Sequence, residues 1–243
     1  MEVSREGNLS LGADHSPTHR TFQFSDSWRQ STARRVGPRS PAGEPRGILS
    51  GMSTRSTVHE LTITLLSVEP PVWRRLYVPS GVTLARVHGD IQAVMGWENC
   101  HLHQFEIGGR RFGKPDPDYV PVFGEPIQDE RKARLGSLVK KGDRFSYEYD
   151  FGDSWEHEIV VEQILPAGPG SATSRCLEGA GACPPEDVGG WPGYADFLEA
   201  MADPQHPDHE DRSEWIGGRW DPEFFNLDGM NEALKMSAAG RFR

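Results

Sequence analysis

One stretch, FSYEYDFGDSWEHEIVVEQIL (145–165), constrains the fold more than any other. Phe145, Tyr147, Tyr149 and Phe151 alternate with polar residues, and so do Trp155, His157, Ile159 and Val161. Side chains two apart on an extended chain share a face, so each run predicts a strand with one apolar side. Gly152-Asp153-Ser154 between them has turn chemistry, which makes the pair an antiparallel hairpin. An isolated hairpin is only marginally stable in water, so further strands or a helix must cover that apolar face.

The rest of the chain supplies both. Val58–Leu66 and Val72–Val78 read as strands separated by a Pro-Pro break. Between Thr83, a predicted N-cap, and Gly96, a predicted stop, Leu84, Val87, Ile91, Val94 and Met95 recur on one helical face. HLHQFEIGG returns to period two, with His101, His103, Phe105 and Ile107 on one side. Residues 113–134, rich in Pro and charge, read as a surface excursion. Helices are predicted over Tyr194–Met201, over a His- and acid-rich piece ending at Trp215, and over Asp228–Met236. Strands first and helices later predict the α+β class: a single domain, its antiparallel sheet packed against helices, with a helical C-terminal third. If the hairpin lay at a sheet edge, it would also offer a dimer contact.

Residues 1–51 have no such pattern. They are rich in Ser, Gly, Pro and Arg, and they predict either a disordered leader or an over-extended gene start, with the domain running over 52–243. This segment holds seven Arg against five acids, a net of +2, so the remainder of the chain carries −12 to give the overall −10. That acidity argues against broad electrostatic attraction to nucleic acid and leaves only a local groove for a protein or nucleic-acid partner. No run of 18 apolar residues is present, so no transmembrane helix and no membrane role are expected. The start lacks an apolar signal region, and with three cysteines the expectation is a cytoplasmic protein with reduced thiols.

Among motifs, the chain contains no P-loop, no GxSxG and no HExxH, and the DFG at 150–152 lacks every companion motif of a kinase. What remains is a constellation of His101, His103, Asp150, Asp153, Trp155, His157, Glu186 and Asp187. His101 and His103 are i, i+2 on a predicted strand, and His157 lies on another. Converging imidazoles could therefore hold a divalent metal, with His101, His103 and His157 as its ligands. The alternative is a set of hydrogen-bonded histidines beneath the helix, with partners at Asp150, Asp153 or backbone carbonyls and no resident cofactor. Glu186 and Asp187 are adjacent in PPEDVGG, where one at most is expected to face a substrate, and either could pair with Arg74 or Arg75. Cys176 and Cys183 read as small buried thiols closing a loop. Several tryptophans read as core anchors and others as the outline of a groove.

PPVWRR, the L-x3-H helix ending in MGW, HLHQF, YDFGDSWEH, CPPEDVGG-x-x-GY and the final WxGG-x-x-DPExF together resemble the plasmid pRiA4b ORF-3-like family. Its members are also described as insertion-sequence passenger TnpR proteins. The resemblance spans about Val58 to Leu234 and implies an α+β domain. It implies no established activity, and its name suggests an association with mobile genetic elements. Two functions follow as expectations: a non-catalytic binding or accessory domain with a groove near the hairpin, or a metal-dependent enzyme with a His/Asp site.

Overall fold

A computed structural model describes residues 56–115 and 126–240. The leader 1–51 and the expectation of its disorder lie outside the described residues, as does the middle of the 113–134 segment. Among the described residues eight strands form one sheet: β1 (Thr57–Leu65), β2 (Trp73–Pro79), β3 (His103–Ile107), β4 (Arg110–Gly113), β5 (Gln128–Asp129), β6 (Arg144–Tyr149), β7 (Trp155–Pro166) and β8 (Arg175–Ala180). Their spatial order is β5-β4-β3-β6-β7-β1-β2-β8, antiparallel throughout except for the β4–β5 pair. The helices are α1 (Leu84–Met95), α2 (Leu135–Leu138), α3 (Gly190–Ala202), α4 (His209–Ile216) and α5 (Leu227–Ala238). The fold is α+β, with its helices concentrated at the C-terminus, as the strand and helix patterns imply.

The hairpin lies at the centre of the sheet. β6 pairs with β3 on one side and β7 with β1 on the other, so it offers no edge for a dimer. Register then stacks side chains in rows across the core face. His103, Tyr149 and Trp155 lie in one row; Phe105, Tyr147, His157 and Leu65 form the next; Phe145, Ile159, Ile63 and Arg74 form a third. Over this face lies α1, begun by the Thr83 side chain, which accepts from the Arg86 N–H, and closed by Gly96 in the left-handed region. Leu84, Val87, Ile91 and Val94 are essentially inaccessible to water. A Leu or Ile so buried contributes roughly 1.5–3 kcal/mol, which is what holds the helix to the sheet.

Three expectations are corrected here. Phe151 does not continue the β6 face: Asp150 adopts φ 55, the alternation stops at Tyr149, and Phe151 is 47% exposed in the turn. The 113–134 segment is not wholly a surface excursion, because Glu130 is buried directly after β5, which pairs with β4. Arg74 is buried but pairs with no carboxylate among the described residues. Its guanidinium donates to the carbonyls of Val94 (2.8 Å), Trp73 (2.8 Å), Ala180 (2.6 Å) and Gly181 (2.9 Å), tying the last turn of α1 to the end of β8. Arg75, on the opposite face, reaches Glu60 and Glu178.

Candidate functional site

The end of the sheet where β3 begins and β6 turns into β7 gathers most of the polar constellation. Asp150 crosses into the left-handed region directly after Tyr149. Its N–H donates to the Leu102 carbonyl at 2.9 Å, and its Oδ1 accepts from the Gly152 N–H at 3.0 Å. This local Asx geometry suits an Asp at positive φ. The turn then docks on the start of α3: Asp153 Oδ2 accepts from the Gly189 N–H at 3.1 Å. At Gly190 a Cβ would lie 2.6 Å from the Asp153 carbonyl oxygen, so only glycine permits that approach.

The PPEDVGG loop is brought to the same place by Trp97. This residue is 2% exposed, stacks on Tyr149 at 4.8 Å, and donates its indole N–H to the Pro184 carbonyl at 3.0 Å. Glu186 Oε1 then accepts from the Glu98 N–H (2.8 Å) and from the Tyr149 hydroxyl (3.0 Å). Burial, and then the Glu186 carboxylate it faces, push the Tyr149 phenol well up, so it stays protonated as a donor.

His101 completes the cluster. Its Nε2 lies 3.2 Å from Asp187 Oδ1, 3.6 Å from Asp150 Oδ2 and 3.8 Å from Glu186 Oε2. Both members of the Glu186-Asp187 pair thus approach one imidazole. Adjacent residues point apart on an extended chain, but Asp187 at φ 57 turns the two acids to the same side. Among the described residues, the sets of three donors whose ligand atoms lie within 4.8 Å of one another are His101/Asp150/Asp187 and Cys100/His101/Glu186.

His103 and His157 belong to neither set. His103 bonds Glu130 Oε2 at 2.7 Å and stacks on His88 with centroids 3.4 Å apart and planes 4° apart. His88 Nδ1 accepts from the Tyr147 hydroxyl (2.8 Å), its Nε2 donates to Asn99 Oδ1 (2.7 Å), and Gln92 donates to the same hydroxyl (3.2 Å). Desolvation, followed by the neighbouring His103, lowers the His88 pKa to about 4. His157 is wholly buried, and its Nδ1 donates to the Trp155 carbonyl at 3.0 Å. Burial likewise lowers its pKa to about 4. The grouping of His101, His103 and His157 as joint ligands is therefore replaced by two separate arrangements, since β3 starts only at His103 and His101 sits in the bend before it.

Sequence reasoning missed Glu130, Asn99, Gln92 and the Tyr149 hydroxyl as members of these networks. Only His88 had a local signal, standing one turn after Leu84 and one before Ile91–Gln92 on α1. Trp155 is a core residue, 1% exposed, in the row of His103. Beside the cluster, and sharing Glu186 with it, a cleft of about 590 Å³ runs between the end of α1, the Cys183–Glu186 loop and the C-terminal segment. Trp97, Pro184, Trp220, Phe224 and Met230 supply its apolar wall, and Glu98, Arg219 and Asp221 its charged rim.

Fold and site together define an α+β domain with a His–carboxylate cluster at one end of a mostly antiparallel sheet. The chain belongs to the plasmid pRiA4b ORF-3-like protein family, whose match covers residues 57–229 and so includes the whole site. It is 42% identical over 186 residues to "Uncharacterized protein y4hQ" of Sinorhizobium fredii (strain NBRC 101917 / NGR234), covering 76% of this chain and 94% of that one. It is also similar to the crystal structure of a protein of unknown function, MM3350, from Methanosarcina mazei Go1. There the TM-score is 0.63 at 36% identity, over 72% of this chain and 98% of that one. No helix among the described residues is long and apolar enough to cross a membrane.

Proposed function

We propose that this chain is a non-catalytic binding or accessory domain that recognises a protein segment through the cleft between α1 and the C-terminal helices. The observation that carries the reading is the cleft's make-up, a concave apolar wall with a few charges at its rim, as binding sites have. Phe224 is 55% exposed at its mouth, a large apolar side chain left in water. The occupant is a peptide with an aliphatic or aromatic anchor beside a basic residue, which Glu98 and Asp221 would face. The family resemblance adds an accessory role alongside mobile genetic elements. Free thiols at Cys176 and Cys183 fit a cytoplasmic setting, and burial raises both their pKa values, Cys176 to about 11, which leaves neither activated as a nucleophile.

Selection of a random peptide library against the full chain, followed by calorimetry on the enriched peptides, tests this. Binding of basic-aromatic peptides that is lost in Phe224→Ala supports it. Enrichment of no common motif, or binding indifferent to Phe224→Ala, overturns it. Salt-sensitive binding of DNA at the same residues would transfer the cleft to a nucleic-acid partner.

A second reading, a metal-dependent enzyme, is favoured by the three carboxylates around His101. Chromogenic ester and phosphoester substrates, assayed with and without Mn2+, distinguish it. Metal-dependent turnover abolished by His101→Gln would replace the binding reading.

A further inference from the structure

We propose that His101, Asp150, Glu186 and Asp187 form a binding site for one first-row divalent transition metal. The site does not depend on the peptide-binding reading of the adjacent cleft. Donor atoms held 2.0–2.2 Å from one ion lie about 3.0–3.5 Å apart. The approaches of 3.2, 3.6 and 3.8 Å to His101 Nε2 fall at or just beyond that spacing. His101, Asp150 and Asp187 already have donor atoms within 4.8 Å of one another, and Glu186, which groups with His101 and Cys100, must swing toward the two aspartates to complete the set.

Two of the three carboxylates are presented in the manner of oriented ligands. Asp150 has Oδ1 fixed by the Gly152 N–H, which leaves Oδ2 toward His101. Glu186 has Oε1 fixed by the Glu98 N–H and the Tyr149 hydroxyl, which leaves Oε2 toward His101. Hydrogen bonds on the far oxygen are how proteins aim metal-binding carboxylates.

His101 Nε2 and Glu186 Oε2 are both sealed from solvent and neither has a hydrogen-bond partner. Buried polar atoms are nearly always satisfied, and here two orphans from different loops face one another across a gap. One cation between them would satisfy both. Asp187, with its side chain 73% exposed, leaves the site open on one side for water or a ligand.

An imidazole among carboxylate oxygens selects manganese, iron or zinc over calcium and magnesium, which prefer all-oxygen shells. Cys100, whose sulfur lies within 4.8 Å of the His101 and Glu186 donors, biases the choice toward zinc.

The test uses the full chain, untagged and stripped with chelator, titrated with zinc, manganese or cobalt chloride by calorimetry, with the cobalt d–d spectrum as a second readout. One equivalent should bind, with the cobalt spectrum reporting nitrogen and oxygen ligation. Asp187→Asn, a surface change, should weaken binding by about tenfold or more while circular dichroism stays unchanged. His101→Gln should abolish binding, and His103→Ala should leave the cobalt spectrum as it was. Failure to take up any of the three metals at about 1 mM overturns the site. So does uptake that both Asp187→Asn and His101→Gln leave intact.

Discussion

Four histidines stand within a few residues of the same sheet end, in two environments of opposite character. His88 on the inner face of α1, and His103 and His157 on the sheet beneath it, lie among Tyr147, Trp97 and Phe105, with neutral hydrogen-bond partners or, for His103, a single carboxylate. His101 sits two residues before His103, outside the sheet, and faces three carboxylates and solvent. The difference shows that one residue type serves as core polar filling or as an ion-binding group according to what the register places opposite it. A neutral imidazole between a hydroxyl and an amide has its donors and acceptors matched. An imidazole among acids has an excess of negative charge to balance.

The substitution with the largest expected effect removes the wall shared by both regions. Trp97→Ala deletes a buried indole that stacks on Tyr149, meets His157 edge-on at 5.4 Å, and holds the Pro184 carbonyl. A loss of about 3–5 kcal/mol in denaturant unfolding is expected. A loss below about 1 kcal/mol would mean that the loop bearing Glu186 is anchored otherwise.

The buried region should also make the protein acid-sensitive. The folded-state pKa of His157 is lowered from 6.5 to about 4, so the unfolded chain binds its proton more readily. Stability from this group is complete above pH 6.5 and is lost as the pH falls from there through 4, by about 3 kcal/mol in all. His88 acts in the same direction and window. Unfolding free energies measured between pH 4 and 7 should rise with pH, and His157→Leu should flatten part of that slope. An equal slope in the variant would contradict the neutral, buried state of His157.

Smaller effects belong to the open region. Asp153→Ala loses the bond to the Gly189 N–H and should cost about 1 kcal/mol, read as a lower denaturation midpoint. An unchanged midpoint would show that the turn is held to α3 by packing alone. Asp187→Asn, on an exposed side chain, should change metal-free stability by less than about 0.5 kcal/mol. A larger gain would mean that the acids repel one another strongly, which sharpens the case for a bound cation.

Periodicity alone determined much of this protein. The alternation over 145–149 and 155–161 defined the central hairpin, and Thr83 and Gly96 bounded α1, because these signals act within a few residues of themselves. It also brought Asp150, Asp153, Glu186 and Asp187 forward as polar residues in otherwise structural motifs. Tertiary structure decided their grouping. Glu130 meets His103 across 27 residues and Glu186 meets Tyr149 across 37, contacts that no local pattern encodes. The positive φ values at Asp150 and Asp187 are ones Asp tolerates locally, but which carboxylates then meet His101 depends on loops far apart in the chain. The sequence names the residue types and most of the elements; only the folded register places His101 among carboxylates and His157 among carbonyls, because side-chain environment depends on partners distant along the chain.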